Sequence, residues 1–243
     1  MPQLSHRRFS VIALITSLLV LALSAPARAS LVIELSMDGT NWSTAAHAAS
    51  GSSASYSNSN YNGFDVLILA DDSNSPGTSA ISDLEGTTLH LTNDNSGASN
   101  IYVLLGDVGF TAPTTPPPLT LDSQIGGTVT TPGAGNTLTY QSYVDPADGQ
   151  STTTGFTPGP QNPNITGSPA SYDSDASFQI NSGLSSAYSM TEYFHFMLSP
   201  GSQLGFQSST TLTPVVGTPV PEPASLAVFG MAALGLVRRR RKA

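Results

Sequence analysis

The chain has 243 residues, no cysteine, 10% charged residues and a formal net charge of −8. All eight Lys and Arg lie at the two ends, at Arg7, Arg8, Arg28, Arg238, Arg239, Arg240, Arg241 and Lys242, while 15 of the 16 acidic residues fall between Ser30 and Val220. This distribution excludes nucleic-acid binding and docking of the middle on an anionic membrane, since both need cations against phosphate, and the lack of cysteine excludes disulfides, thiolate metal sites and thiol catalysis.

Residues 1–29 read as a secretory signal peptide. His6, Arg7 and Arg8 form a positive start, Phe9 to Leu23 an uncharged and mostly apolar stretch, and Ser24 and Pro26 break the helix. Ala27 and Ala29, on either side of Arg28, present small side chains where signal peptidase needs them. Cleavage is expected after Ala29, which leaves Ser30 as the first residue of the exported chain.

Residues 30–219 read as one all-β domain, because no stretch has helix-length apolar periodicity. Leu31, Ile33, Leu35 and Met37 alternate along one strand face; Phe64 to Ala70 and Thr87 to Thr92 follow. Ile101 to Phe110, Thr137 to Val144, Ser177 to Asn181, Tyr188 to Leu198 and Gln203 to Thr213 continue the series. In Tyr188 to Leu198 the alternation runs through Tyr188, Met190, Phe194, Phe196 and Leu198, with Glu192 as its interruption. Asp38-Gly39, Asn62-Gly63, Gly126-Gly127 and Asp148-Gly149 are expected turns. Ser43 to Asn62 and the proline-bearing Thr152 to Asp175 are expected loops. Such short, punctuated strands predict an antiparallel β-sandwich.

Chemistry is sparse within that domain. His47, His90 and His195 supply imidazoles, but no G-x-S-x-G elbow occurs and nothing selects a carboxylate pair, so no catalytic residue is assigned and the chain reads as no enzyme. Zinc lacks both cysteines and an H-E-x-x-H pair. Calcium is the ion that loop oxygens would suit. Asp72, Asn74 and Asp83 partly copy an EF-hand spacing, although Pro76 stands at a ligand position and flanking helices are missing. The Thr-x-Thr pairs at 128–130, 137–139, 152–154 and 211–213 have no fixed repeat of the kind a flat ice-binding face needs. Trp42, Tyr56, Tyr61 and Tyr143 are the aromatic rings offered for stacking on sugars.

Residues 220–243 close the chain with Pro221, Glu222 and Pro223, then 14 uncharged residues from Ala224 to Val237, then the cluster Arg238 to Lys242. A helix of that length spans about 21 Å, short of a ~30 Å hydrocarbon layer. The positive cluster should stay cytoplasmic, with the domain outside. These three parts, in this order, resemble the PEP-CTERM sorting signal of Gram-negative bacteria, a tail also labelled an ice-binding-protein C-terminal motif. The segments Leu104 to Thr111 and Gly126 to Gly133 also look like exported domains that carry such tails. The resemblance implies cleavage near Pro221 to Pro223 by the membrane protease-transpeptidase exosortase, in bacteria that secrete polysaccharide. The expected function is thus a noncatalytic protein of the envelope or extracellular matrix, associated with exopolysaccharide. The alternative is a carbohydrate-binding or adhesive β-sandwich, with or without calcium.

Overall fold

The structure, a computed structural model, describes residues 30–48, 53–167, 170–184 and 187–215. Ala27 and Ala29 of the signal peptide, Pro221 to Pro223, the C-terminal helix and Arg238 to Lys242 lie outside the described residues. Among the described residues no helix is long and apolar enough to cross a membrane.

The described residues form eleven strands: β1 (Leu31–Ser36), β2 (Ser43–Ala48), β3 (Ala54–Tyr61), β4 (Phe64–Ser73), β5 (Ser82–Asn93), β6 (Ser99–Phe110), β7 (Leu119–Thr131), β8 (Thr137–Asp145), β9 (Ala170–Ile180), β10 (Tyr188–Leu198) and β11 (Gln203–Pro214). They form a five-stranded sheet in the order β2-β1-β6-β10-β8 and a six-stranded sheet in the order β3-β4-β5-β11-β7-β9. The strand pairs are antiparallel throughout. Alternation explains the core between the sheets, since successive side chains on a strand point to opposite faces. On β10, Tyr188, Met190, Phe194, Phe196 and Leu198 are fully buried, and on β11 Leu204, Phe206 and Leu212 meet them from the other sheet. Phe194 meets Phe206 of the other sheet with ring centroids 4.7 Å apart, and its cross-strand partner Tyr140 on β8 at 5.0 Å. Among the described residues the strand pairings and the core lie between Leu31 and Pro214, so this stretch carries a hydrophobic core of its own.

Three expectations are corrected. The polar stretch Ser43 to Asn62 is not a loop but β2 and β3, the strands that form one edge of each sheet. β2 and β3 have no fully buried position, so polar residues suffice there once the backbone is paired. Gly126-Gly127 is not a turn but lies in the middle of β7. A Cβ on Gly127 would stand 2.2 Å from the Gly205 carbonyl oxygen and 2.6 Å from the Tyr172 hydroxyl, so glycine there serves close approach. The Thr152 to Asp175 loop ends early, because β9 starts at Ala170.

The rest of that segment closes the sandwich. Phe156 and Gln161 each exchange two backbone hydrogen bonds with β8, at Val144 and Tyr140. The Gln161 side chain donates to the Ser123 carbonyl and hydroxyl on β7, at 3.1 and 3.0 Å, and so ties the β8 edge to the other sheet. Pro158 and Pro160, without N–H groups, keep this covering segment from templating a further strand.

Candidate functional site

The outer face of the five-stranded sheet collects the half-buried aromatics. Outward positions on β10 hold Tyr193 and His195, and β6 contributes Tyr102 opposite His195. The Tyr102 and His195 rings stack at 4.2 Å with 6° between their planes. Tyr193 stands 6.3 Å from Tyr102, and Tyr143 projects from β8 opposite Thr191. Trp42, just before β2, meets Tyr102 and Tyr193 edge-on at 6.5 and 6.4 Å. Local sequence aims it there. Asp38 accepts hydrogen bonds from the Thr40 and Asn41 amides and the Asn41 side chain, which closes the β1–β2 turn. The Asn41 and Thr40 donors hold its carboxyl well below the usual carboxylate range. Gly39, at φ 72°, leaves room for the Tyr102 ring, since an added Cβ would stand 3.1 Å from it. Burial pushes the Tyr193 and Tyr143 hydroxyls up and the His195 imidazole down, so each is biased toward its neutral form.

Of the four aromatics predicted to meet sugar, Trp42 and Tyr143 share this face. Tyr56 and Tyr61 do not. They lie on β3 in the other sheet, edge-to-face at 6.3 Å, and pack against the core. Tyr102, Tyr193 and His195 were absent from the predicted set. Their signal was in the sequence: an inward period of two, through Phe194 and Phe196 on β10 and through Ile101 and Val103 on β6, sends the intervening residues outward.

The histidines go to separate surroundings. His47 Nε2 is 2.7 Å from the Ser30 hydroxyl, and His195 Nε2 is 3.0 Å from Asn100 Oδ1. Asp65 and Thr92 both approach Nε2 of His90, at 3.1 and 2.9 Å, while Gln203 donates to its Nδ1 at 2.8 Å. A relay needs a carboxylate on one ring nitrogen and a nucleophile on the other, and His90 does not have that arrangement.

Of the calcium candidates, Asp72 is the penultimate residue of β4, opposite Glu85, and Asp83 is the second residue of β5. Asn74 staples the connection between those strands: its Oδ1 accepts the Asp83 amide at 3.0 Å and its Nδ2 donates to the Ile81 carbonyl at 3.3 Å. No group of three or more His, Asp or Glu side chains able to hold a metal occurs among the described residues.

The outer face of the six-stranded sheet carries a different surface, a groove of about 460 Å³. Two polar rows cross four strands there: Thr87, Gln207, Gly126 and Asp173, and beside them Glu85, Ser209, Gln124 and Asp175. Amides, hydroxyls and carboxylates can hydrogen-bond a polar ligand, but no ring lines this groove.

Glu192 lies between the sheets and is fully buried. Its Oε1 accepts from Tyr140 at 3.0 Å and Thr210 at 2.7 Å, and its Oε2 from Ser208 at 2.5 Å. Burial pushes its carboxyl up to about 7 against the pull of these three hydroxyls, and the nearby charge of Glu85 adds to the rise.

Residues 219–242 match the family model of the PEP-CTERM protein-sorting motif. A comparison with curated proteins gives no match. Among solved structures the chain is similar to an Arthrobacter globiformis T6 isomalto-dextranase complexed with panose (14% identity, TM-score 0.25, 68% of this chain and 22% of that one). It is also similar to the CBM22-1–GH10 modules of a Clostridium thermocellum xylanase 10B complexed with xylohexaose (12%, 0.24, 68% and 28%). A third is the structure of infectious bursal disease virus Gx strain (10%, 0.27, 82% and 53%). The chain thus spans between about a fifth and about half of the length of these three structures. Likeness at these TM-scores carries no argument about ligand or activity.

Proposed function

We propose that this chain is an exported, noncatalytic protein of the envelope or extracellular matrix, passed by its PEP-CTERM motif to exosortase and held against secreted polysaccharide by its aromatic sheet face. The observation that carries this reading is Trp42 standing over Tyr102 and Tyr193 on the outside of the sandwich. Half-exposed rings offer apolar faces to the C–H faces of sugars, and tyrosine hydroxyls add hydrogen bonds at their edges. The described domain carries no Lys or Arg, so its field repels anionic polymers and favours neutral ones.

Co-sedimentation with neutral polysaccharides, with and without calcium, tests this reading. Trp42→Ala and Tyr193→Ala should each weaken binding by about tenfold, a loss of 1–2 kcal/mol as for truncated aromatic anchors. Phe178→Ala, on the other sheet, should leave it unchanged. Equal binding by all three variants would remove the face from the argument. Loss of binding with chelator alone would instead make the interaction calcium-dependent.

Sorting has its own test. Deletion of residues 221–243 should shift the protein from the cell-surface fraction to the soluble periplasm or medium, and cells lacking exosortase should accumulate the uncleaved form. An unchanged distribution in both experiments would sink this part of the proposal.

A further inference from the structure

We propose that removal of residues 1–29 turns the Ser30 nitrogen into an α-ammonium group that pairs with the buried carboxylate of Asp107 and stabilises the domain once its signal peptide has gone. The inference rests on export with cleavage after Ala29. Hydrolysis adds water across the Ala29–Ser30 bond, the hydroxyl going to the Ala29 carbonyl carbon and a hydrogen to the Ser30 nitrogen, which then takes up a proton from solvent.

The partner is already in place. The Ser30 nitrogen donates to Asp107 Oδ1 at 2.7 Å, because the β1–β6 register, with Val32 opposite Gly106, sets the start of β1 beside Asp107. Asp107 has no exposed surface; the Val108 amide donates to the same oxygen at 2.8 Å and the Ser73 hydroxyl to Oδ2 at 2.5 Å. The titratable neighbours are Asp148, whose charge acts on Asp107, and His47, which holds the Ser30 hydroxyl. Burial raises the Asp107 carboxyl against the pull of the Ser73, Ser30 and Val108 donors. No Lys or Arg lies between Ser30 and Val215. The new terminus is therefore the one fixed cation the processed domain would gain, and its nitrogen lies against a buried carboxylate. A charged donor at that distance makes a stronger hydrogen bond than a neutral amide, and a buried charge gains most from a partner.

The test uses the domain from Ser30 to Val215, made with a free Ser30 amine, with that amine acetylated, or with Ala29 retained. Acetylation keeps an N–H donor and removes only the charge. The free-amine chain should have a folding equilibrium constant about tenfold or more above either blocked form at pH 7, and a Ser30 amine titrating at least about one unit above the usual 7.7–8.0. In Asp107→Asn the free and acetylated chains should agree within about twofold, the coupling having been removed. Equal stability of free and acetylated chains with Asp107 present, or a difference that survives Asp107→Asn, overturns the ion pair. If the Asp107→Asn chain does not fold, the titration decides, and an ordinary amine value overturns the proposal. Mass spectrometry of the exported protein separates the two premises. A terminal residue other than Ser30 overturns the cleavage reading, and with it the proposal in the cell, whatever the coupling. Failed coupling with Ser30 at the terminus overturns the ion pair alone.

Discussion

Replacing Glu192 with glutamine should abolish a loss of stability that the native protein suffers between mildly acidic and neutral pH. The carboxyl titrates near 4.5 in the unfolded chain and at about 7 in the folded one. Between those values the folded state holds a proton that the unfolded state has released, so stability falls as pH rises through this window. Below it Glu192 is a neutral acid that both donates and accepts among Tyr140, Ser208 and Thr210. Above it a charge held by three hydroxyls, with no Lys or Arg in the domain to pair with it, sits between two sheets. At about 1.4 kcal/mol per unit, the difference amounts to about 3 kcal/mol. Glutamine is neutral throughout and nearly isosteric, and the Ser208 or Thr210 hydroxyl can rotate to accept from its amide. Unfolding free energies from urea titration of the two proteins should therefore differ by less than about 1 kcal/mol at pH 4 and by about 3 kcal/mol at pH 8, with the glutamine variant the more stable. Parallel pH profiles would mean that water or a shift of the sheets relieves the charge.

Phe194→Ala should cost about 3–5 kcal/mol, the usual toll for deleting a fully buried ring. Phe194 is where the two sheets interlock: it has no exposed surface and touches Tyr140, Phe206 and Phe196, with centroids at 5.0, 4.7 and 6.2 Å. Neighbours drawn from β8, β10 and β11 cannot all collapse into the space it leaves, so the cavity persists. Phe178→Ala makes the control, since that ring is 39% exposed and stacks on Phe156 at the surface. It should cost well under about 1 kcal/mol. Similar losses for the two variants in urea unfolding would show that the core is looser than the ring geometry implies.

Legibility varied with how much each strand buries. β10 was read to its end residues because its inward positions are large and apolar. Glu192 looked like a break in that pattern, yet it faces inward with the rest. The partners that make this tolerable, Ser208 and Thr210, come from the other sheet 16 and 18 residues on, a distance at which no local pattern operates. β2 and β3 were read as loop because edge strands of Ser, Ala and Asn carry no apolar alternation to detect. β7 was missed because Gly126 and Gly127 mimic a turn, and only the Gly205 carbonyl and the Tyr172 ring beside Gly127 show why a side chain is unwelcome there.

The candidate face divides in the same way. Trp42 and Tyr143 could be named from the sequence as aromatic rings near strand ends. Their assembly with Tyr102, Tyr193 and His195 depends on the order β6-β10-β8 in one sheet, which strand pairing alone sets.

What the sequence by itself determined was class and address: a strand-rich acidic domain without thiols, followed by a PEP-CTERM motif at residues 219–242. These follow from composition, period and short contiguous motifs, all of which are local along the chain. Only the tertiary structure decided which polar groups are buried, which rings share a face, and that Ser30 lies against Asp107. Each of those depends on contacts between residues far apart in sequence, and such contacts exist only once the two sheets have closed on each other.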